Sequence, residues 1–177
     1  MRKVLFILGQ LSDSDVDWLA KNGKREKVLK GTELIKYGTR IETLYFVLDG
    51  EMEVLTNKGV KLAKVASGDV LGEMSLIDSA PTAASIRVDH DAHVLALPMS
   101  KIRAKLEADV GFAARFYKSL SLFLADRMRN TIRRMGYEND EEPDEAQGEI
   151  DELDPEVLDN VHLAGARFER MLKALAG

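Results

Sequence analysis

The pattern of hydrophobic and polar positions divides the chain into a strand-rich part and a helical part. From Val28 to Leu97, short apolar runs with β-branched residues alternate with breaks that contain Gly and Asp, as in antiparallel sheets. Asp49-Gly50 and Asn57-Lys58-Gly59 separate successive runs and predict hairpin turns. The predicted strands are Glu33–Lys36, Thr43–Leu48, Glu51–Leu55, Val60–Val65, Val70–Leu71, Ser85–Val88 and Ala92–Leu97. Their spacing predicts a rolled or closed antiparallel sheet.

The segments on either side of the predicted sheet have helical periodicity. A Ser12 N-cap followed by acids predicts a short N-terminal helix that ends near Gly23. Further helices are predicted over Ser100–Ala108 and from about Asp109 to Met135, and the second has one apolar stripe. The stripe consists of Ala113, Tyr117, Leu120, Leu124, Met128, Ile132 and Met135. A sheet followed by helices predicts an α+β fold.

Two further segments follow the long helix. Residues 136–156 contain 11 of the 30 acids and none of the 25 bases, which predicts a solvated tether over residues 136–153. Asp154-Pro155 is typical of a helix start, and a terminal docking helix is predicted over residues 154–177 with Phe168 as its anchor. Its apolar seam consists of Val157, Val161, Ala164, Phe168, Met171 and Leu175. This helix either folds back on its own chain or binds another one.

Length and composition narrow the classes of protein. A chain of 177 residues with 45% hydrophobic and 31% charged residues fits one globular domain with appendages, assigned here to residues 1–108 and the long helix 109–135. With no Cys, disulfides and thiolate chemistry are excluded, which favours the cytoplasm. The apolar stretch Val4–Leu8 is too short for a signal peptide, and no run approaches the roughly 20 residues of a membrane-spanning helix.

The segment from Gly68 to Ser85 carries the most specific motif. It reads G-D-V-L-G-E-M-S-L-I-D-S-A-P-T-A-A-S and combines G-x-x-x-G-E, a Leu-Ile pair and a Pro before A-A-S. This segment resembles the phosphate-binding cassette of cyclic-nucleotide-binding domains, found in catabolite activator proteins and in the regulatory subunit of protein kinase A. The resemblance extends from about Leu5 to Met135 and includes Tyr45–Gly50. It implies an eight-stranded β-roll, related to the jelly roll, with C-terminal helices that move when ligand binds.

The same resemblance implies a ligand site. Backbone N–H groups of the cassette helix would bind the cyclic phosphate, Glu73 the ribose 2′-hydroxyl, and Gly72 would allow close backbone approach. The family's phosphate-binding arginine corresponds to Thr82, and replacing a guanidinium by a hydroxyl costs about 1.5–3 kcal/mol, or about 10- to 100-fold in affinity. Thr82 can still donate one hydrogen bond. The implied ligand-binding residues are Gly72, Glu73, Met74, Thr82, Ala83 and Thr131.

Each of these residues also has a structural interpretation. In a pocket that no longer binds ligand, Glu73 would cap nearby backbone N–H groups, and Thr131 would bond the carbonyl one turn back in the helix. His90 and His93 are placed by the pattern at a turn and a strand start, on opposite faces, so the metal site of a cupin enzyme is not predicted. Motifs for nucleophilic catalysis or nucleotide hydrolysis are absent, which favours a non-enzyme.

The sequence also limits the partners. Only 42 residues follow Met135, too few after the acidic segment for a winged helix-turn-helix, so DNA binding is not expected. The bases Arg127, Arg129, Arg133 and Arg134 are interpreted as a solvated face or a contact for the acidic tether.

The function predicted from these observations is a non-catalytic regulatory module with weak or lost cyclic AMP or cyclic GMP binding. It would have no cofactor beyond that ligand and no membrane partner. It would bind a protein partner or associate with itself through the C-terminal helices, with a homodimer formed by the long helix. Two alternatives remain open: a constitutive scaffold whose pocket no longer binds ligand, and a sensor of a different nucleotide such as a cyclic dinucleotide.

Overall fold

The computed structural model describes residues 7–136 and 161–176 of the chain. The helices are α1 (Asp13–Asn22), α2 (Glu73–Asp78), α3 (Met99–Ala108), α4 (Val110–Gly136) and α5 (Val161–Ala176). The strands are β1 (Lys24–Val28), β2 (Glu33–Ile35), β3 (Thr43–Leu55), β4 (Lys61–Ala66), β5 (Val70–Leu71) and β6 (Ser85–Pro98). This order confirms the predicted α+β fold. Residues 137–153 of the predicted tether, and Val157 of the predicted seam, lie outside the described residues.

The strands form one antiparallel sheet around two long strands. β6 pairs with β1, β2 and β3, and β3 pairs in turn with β4 and β5. The sheet has six strands within the described residues, fewer than the eight that the resemblance implied. β3 and β6 each join two of the seven predicted runs, and β1 was not among those runs. The turn predicted at Asn57–Gly59 is present, with Thr56 N–H donating to Val60 O at 2.8 Å and Val60 N–H donating to Thr56 Oγ1 at 3.1 Å.

The hairpin predicted at Asp49-Gly50 is wrong, because both residues lie inside β3. The pairing register with β6 shifts on either side of Asp49, so the strand bends there without reversing. Gly50 has φ +95°, and a Cβ at this position would lie 2.6 Å from the Cα of Ala92. A glycine is therefore required by the close approach of the partner strand as well as by the backbone conformation.

The core face of α4 differs from the predicted stripe. Phe112, Phe116 and Phe123 are fully buried against α1 and the sheet, together with Leu120. Three stripe residues lie on the solvent side instead, with Tyr117, Met128 and Ile132 being 48%, 66% and 61% exposed. The aromatic rings bury more apolar area than the aliphatic stripe, which explains the orientation of the helix.

The terminal helix α5 packs in cis against α1 and the residues before it. Ala164 and Met171 are fully buried in the same apolar cluster as the phenylalanines of α4. Phe168, predicted as the anchor, is half-buried, as is Leu175. The seam therefore packs against this chain's own core. Its most buried residues are Ala164, which is small, and Met171, which has a flexible side chain.

Two arginines fix the orientation of α5. Arg167 donates to the backbone carbonyls of Leu8 and Gly9, both at 3.0 Å, and to Asp13 at 2.9 Å. Arg170 makes a two-pronged contact with Asp17, with both distances 2.6 Å. These contacts join the basic side of α5 to the acidic side of α1.

Candidate functional site

The short helix α2 begins directly after β5 at a glycine whose conformation is constrained. Gly72 has φ +90°, and a Cβ there would lie 2.9 Å from the carbonyl oxygen of Thr43. Only glycine combines this backbone conformation with this close approach. The arrangement places Glu73, the first residue of α2, in the protein interior, where it is 3% exposed.

The carboxylate of Glu73 is paired with a base from the long helix. Arg127 Nη1 donates to Glu73 Oε1 at 2.5 Å, and the guanidinium also lies 5.5 Å from the ring centre of Phe123. Burial raises the pKa of Glu73, and the charge of Arg127 and the backbone N–H groups of Gly72 and Glu73 offset only part of this effect. Glu73 therefore holds an ion pair with α4.

Arg127 is a site residue that the sequence interpretation missed. It was assigned to a solvated basic face, whereas its side chain reaches the cassette and is about one-third exposed. The position of Thr131, an implied ligand-binding residue, could have indicated Arg127. Arg127 lies one turn earlier on the same face of α4. Thr131 itself is exposed, and its hydroxyl donates to Arg127 O at 2.9 Å, the helix-internal bond given above as the alternative.

Thr82 is bonded to the connection between β2 and β3. Its hydroxyl donates to Lys36 O at 2.5 Å and accepts from Thr39 N–H at 3.2 Å. Its backbone pairs with the same connection, donating to Thr39 O and accepting from Gly38 N–H, both at 2.9 Å. The one hydroxyl proton that Thr82 was expected to offer a ligand is therefore engaged within the protein.

The remaining predicted site residues lie on the surface. Met74 is 52% exposed and Ala83 is also exposed. The structure thus brings Gly72, Glu73 and the unpredicted Arg127 together, while Thr82 is held by the neighbouring connection.

The two histidines do not lie where the pattern placed them, because both are inside β6. His93 Nδ1 is 3.9 Å from a carboxylate oxygen of Asp49. His90 is grouped with Asp89 and Glu51, and one ligand atom from each of these three lies within 4.8 Å of the others. Glu51 joins this surface group through the β3–β6 register, in which it is paired with His90.

The residues of the buried site are suited to bind a ligand. A buried carboxylate accepts hydrogen bonds from hydroxyl or N–H donors, and the guanidinium beside it attracts an anion.

In the described part of the chain, no helix is long and apolar enough to cross a membrane.

Comparison with known proteins agrees with this geometry. The family model described as the cyclic nucleotide-binding domain matches residues 25–109. An uncharacterised NTE family protein of Mycobacterium tuberculosis is 26% identical over 129 residues, covering 72% of this chain and 22% of that protein. The chain thus spans about a fifth of that relative's length.

Two solved structures illustrate the likeness. A cyclic nucleotide-binding domain from Methylobacillus flagellatus has the same fold, with a TM-score of 0.68 and 23% identity over 83% of this chain and 86% of that one. The regulatory domain of Toxoplasma gondii PKA, solved with cAMP, gives a TM-score of 0.52 and 26% identity over 58% of this chain and 42% of that one. Residues 25–109, which include the glycine-glutamate cassette at the start of α2 and the antiparallel sheet, match the cyclic nucleotide-binding domain family.

Proposed function

We propose that the chain is a non-catalytic regulatory module that binds a cyclic nucleotide weakly at α2 and transmits binding to α4. The observation that carries this proposal is the ion pair between Glu73 and Arg127. Glu73 occupies the position that contacts ribose in the family, and it is held by a residue of the helix that follows the roll. A ligand that uses Glu73 must therefore change the contacts of that helix.

The electrostatics of the pair support a switch. Glu73 is buried, and removing the partner of a buried charge is costly, so Arg127 holds α4 against the roll when no ligand is bound. A ribose hydroxyl that donates to Glu73 takes over part of the role of Arg127, and a phosphate offers the guanidinium another anion. A ligand shifts the position of α4 only through such a difference in contacts between two states.

Weak affinity follows from the phosphate end of the cassette. Thr82 stands where the family has a guanidinium, and its hydroxyl is bonded to Lys36 O. Arg87, in the strand that follows, pairs with Glu53 at 3.0 Å and is half exposed. We expect cyclic AMP and cyclic GMP to bind about 10- to 100-fold more weakly than they would with an arginine at position 82.

In this proposal, ligand binding acts through the contact that α4 makes with another protein chain in the cytoplasm. Val110, Tyr117, Met128 and Ile132 leave apolar surface on the solvent side of α4, and a second copy of the helix would cover it in a homodimer. A change in the position of α4 would then alter that contact.

The second candidate is a constitutive scaffold. It is favoured by the same two observations read differently: Glu73 already has a cation, and Thr82 already has a hydrogen-bond acceptor. In this case both ends of the cassette are satisfied without ligand.

Calorimetry and hydrogen exchange on the full chain distinguish the two. Under the leading proposal, saturating cyclic AMP reduces amide protection in α4 beyond Phe123, and Arg127→Gln shows the same loss without ligand. Arg129→Gln is the matched control, because Arg129 is an exposed base on the same helix. If no cyclic mononucleotide or dinucleotide binds, the leading proposal is refuted and the scaffold is supported. If one of them binds but leaves α4 protection unchanged, the switch is refuted.

A further inference from the structure

A second polar cleft lies at the end of α2 opposite Glu73. It is formed by the connection between β2 and β3, the C-terminal end of α2, and α3, and it encloses about 150 Å³. Its lining residues are Arg40, Ile41, Glu42, Ser75, Ser79, Ala80 and Arg103. Neither Glu73 nor Thr82 contributes to it, so it is distinct from the candidate nucleotide site.

Two guanidinium groups of this cleft keep most of their hydrogen-bonding capacity. Arg103 Nη2 lies 3.5 Å from Ser75 O and 3.4 Å from Ser79 Oγ, the long end of the hydrogen-bond range. Arg40 is exposed and has no hydrogen-bond or ion-pair partner within residues 7–136 and 161–176. A guanidinium carries five N–H donors, so most of those in this cleft remain available.

The charge of the cleft favours an anion. Glu42 is the one carboxylate among the lining residues, against two guanidinium groups. Asp78 lies nearby in sequence, but its Oδ1 accepts from Ala80 N–H at 2.9 Å, so that oxygen is used within its own turn. The hydroxyl of Ser79 accepts from Arg103 and keeps its proton for an acceptor.

The size and geometry fit a single phosphate group. Guanidinium forks match the oxygens of phosphate in two-pronged contacts, and a serine hydroxyl adds a third donor. The volume is below the roughly 300 Å³ at which pockets begin to hold whole drug-sized ligands, so the cleft itself has room for a phosphate-sized group. We propose that Arg40, Arg103 and Ser79 form a binding site for one phosphate group, either free or carried as a monoester.

Binding at this site would reach the cassette. Arg103 at present bonds the carbonyl of Ser75 and the side chain of Ser79, which closes α2 with φ +56°. A bound phosphate would compete for Arg103 and weaken its contacts with Ser75 and Ser79. These contacts lie at the C-terminal end of α2, whose first residue is Glu73. The site is thus placed to modulate the cassette without contact with Glu73.

The test is an NMR titration of the full chain at constant ionic strength, with inorganic phosphate and O-phosphoserine as probes and chloride as the reference anion. We expect saturable shifts of the Ser79 and Ala80 amides, and at least a 10-fold weaker Kd in Arg40→Gln and in Arg103→Gln. Arg25→Gln is the matched control, because Arg25 is an exposed base on β1, and its Kd should equal that of the unaltered protein.

Every other outcome either specifies the ligand of the site or overturns the site. Tighter binding of O-phosphoserine identifies a monoester site, and tighter binding of inorganic phosphate identifies a free-anion site. Shifts that do not saturate, or an equal loss in Arg25→Gln, overturn the site. Arg40 has no hydrogen-bond or ion-pair partner among the described residues, so a folded Arg40→Gln with unchanged affinity also overturns it. None of these variants alters Glu73, so failure here leaves the proposed nucleotide function intact.

Discussion

Restoring a cation at position 82 is the sharpest test of the nucleotide site. Thr82→Arg places a guanidinium where the cassette of the family carries one. The substitution also removes the hydroxyl that donates to Lys36 O and accepts from Thr39 N–H. The backbone bonds between Thr82 and the β2–β3 connection do not need the side chain and should remain.

The two effects have different sizes and different readouts. A charge-assisted contact with phosphate contributes about 1.5–3 kcal/mol, so the Kd for cyclic AMP should fall about 10- to 100-fold. Two lost side-chain hydrogen bonds cost about 1–3 kcal/mol of stability in total, since neutral bonds contribute about 0.5–1.5 kcal/mol each. The variant should therefore melt at a lower temperature without ligand and gain more from ligand than the unaltered protein does.

Calorimetry and thermal unfolding with and without cyclic AMP measure both effects. Thr82→Val is the control, because it removes the hydroxyl without adding charge and should lose stability with no gain in affinity. Sub-micromolar binding by the unaltered protein would show that Thr82 does not weaken the site. Equal affinities for Thr82→Arg and Thr82→Val would show that the phosphate end of the cassette is closed.

Three further predictions follow from other contacts. Burial alone would raise the pKa of Asp15, but its hydrogen bonds with Arg115 at 2.7 and 3.0 Å hold that pKa below the usual 3.8. The pair therefore stabilises the fold above about pH 3.8, and denaturant titrations should show Asp15→Asn losing about 2 kcal/mol at neutral pH and little once the acid form predominates. Met171→Ala should release α5 in hydrogen exchange more than Phe168→Ala, since Met171 is fully buried; equal release would contradict this. Met128→Glu should convert a homodimer into a monomer in sedimentation, and a monomeric unaltered protein at tens of micromolar would refute the dimer.

The resemblance predicted the cassette, and local sequence signals predicted the order of most of the elements. The glycine before Glu73, the acids after Ser12 and the glycine of the β3–β4 turn each have a local physical reason, and the structure contains all three features. Asp49-Gly50 shows where such signals fail. A glycine with φ +95° suits a hairpin and a bend in a strand equally well, and the choice depends on Ala92 in a partner strand.

The pairing of Glu73 could not be predicted from local pattern. Its partner is 54 residues away, and the contact depends on the rotation of α4 over the roll. That rotation is set by Phe112, Phe116 and Phe123, which lie off the aliphatic stripe that the periodicity favoured. A stripe defined by spacing alone gives equal weight to small and large residues, whereas packing favours the face with the greatest buried area.

Under the proposed switch, the positions of the two ion pairs on α4 would limit how far a change at Glu73 extends along this helix. Arg115 is held by Asp15 of α1, and Arg127 by Glu73, at points about 18 Å apart along the axis of a helix that rises about 1.5 Å per residue. Near Arg115, α4 is anchored in the core by Phe112 and Phe116. Helix α1 also binds α5 through Asp17. Loss of the second pair would therefore release the end of α4 that carries Met128 and Ile132. The α1–α5 contact would stay in place, so under the proposed switch the surface that responds to the pocket would be on α4.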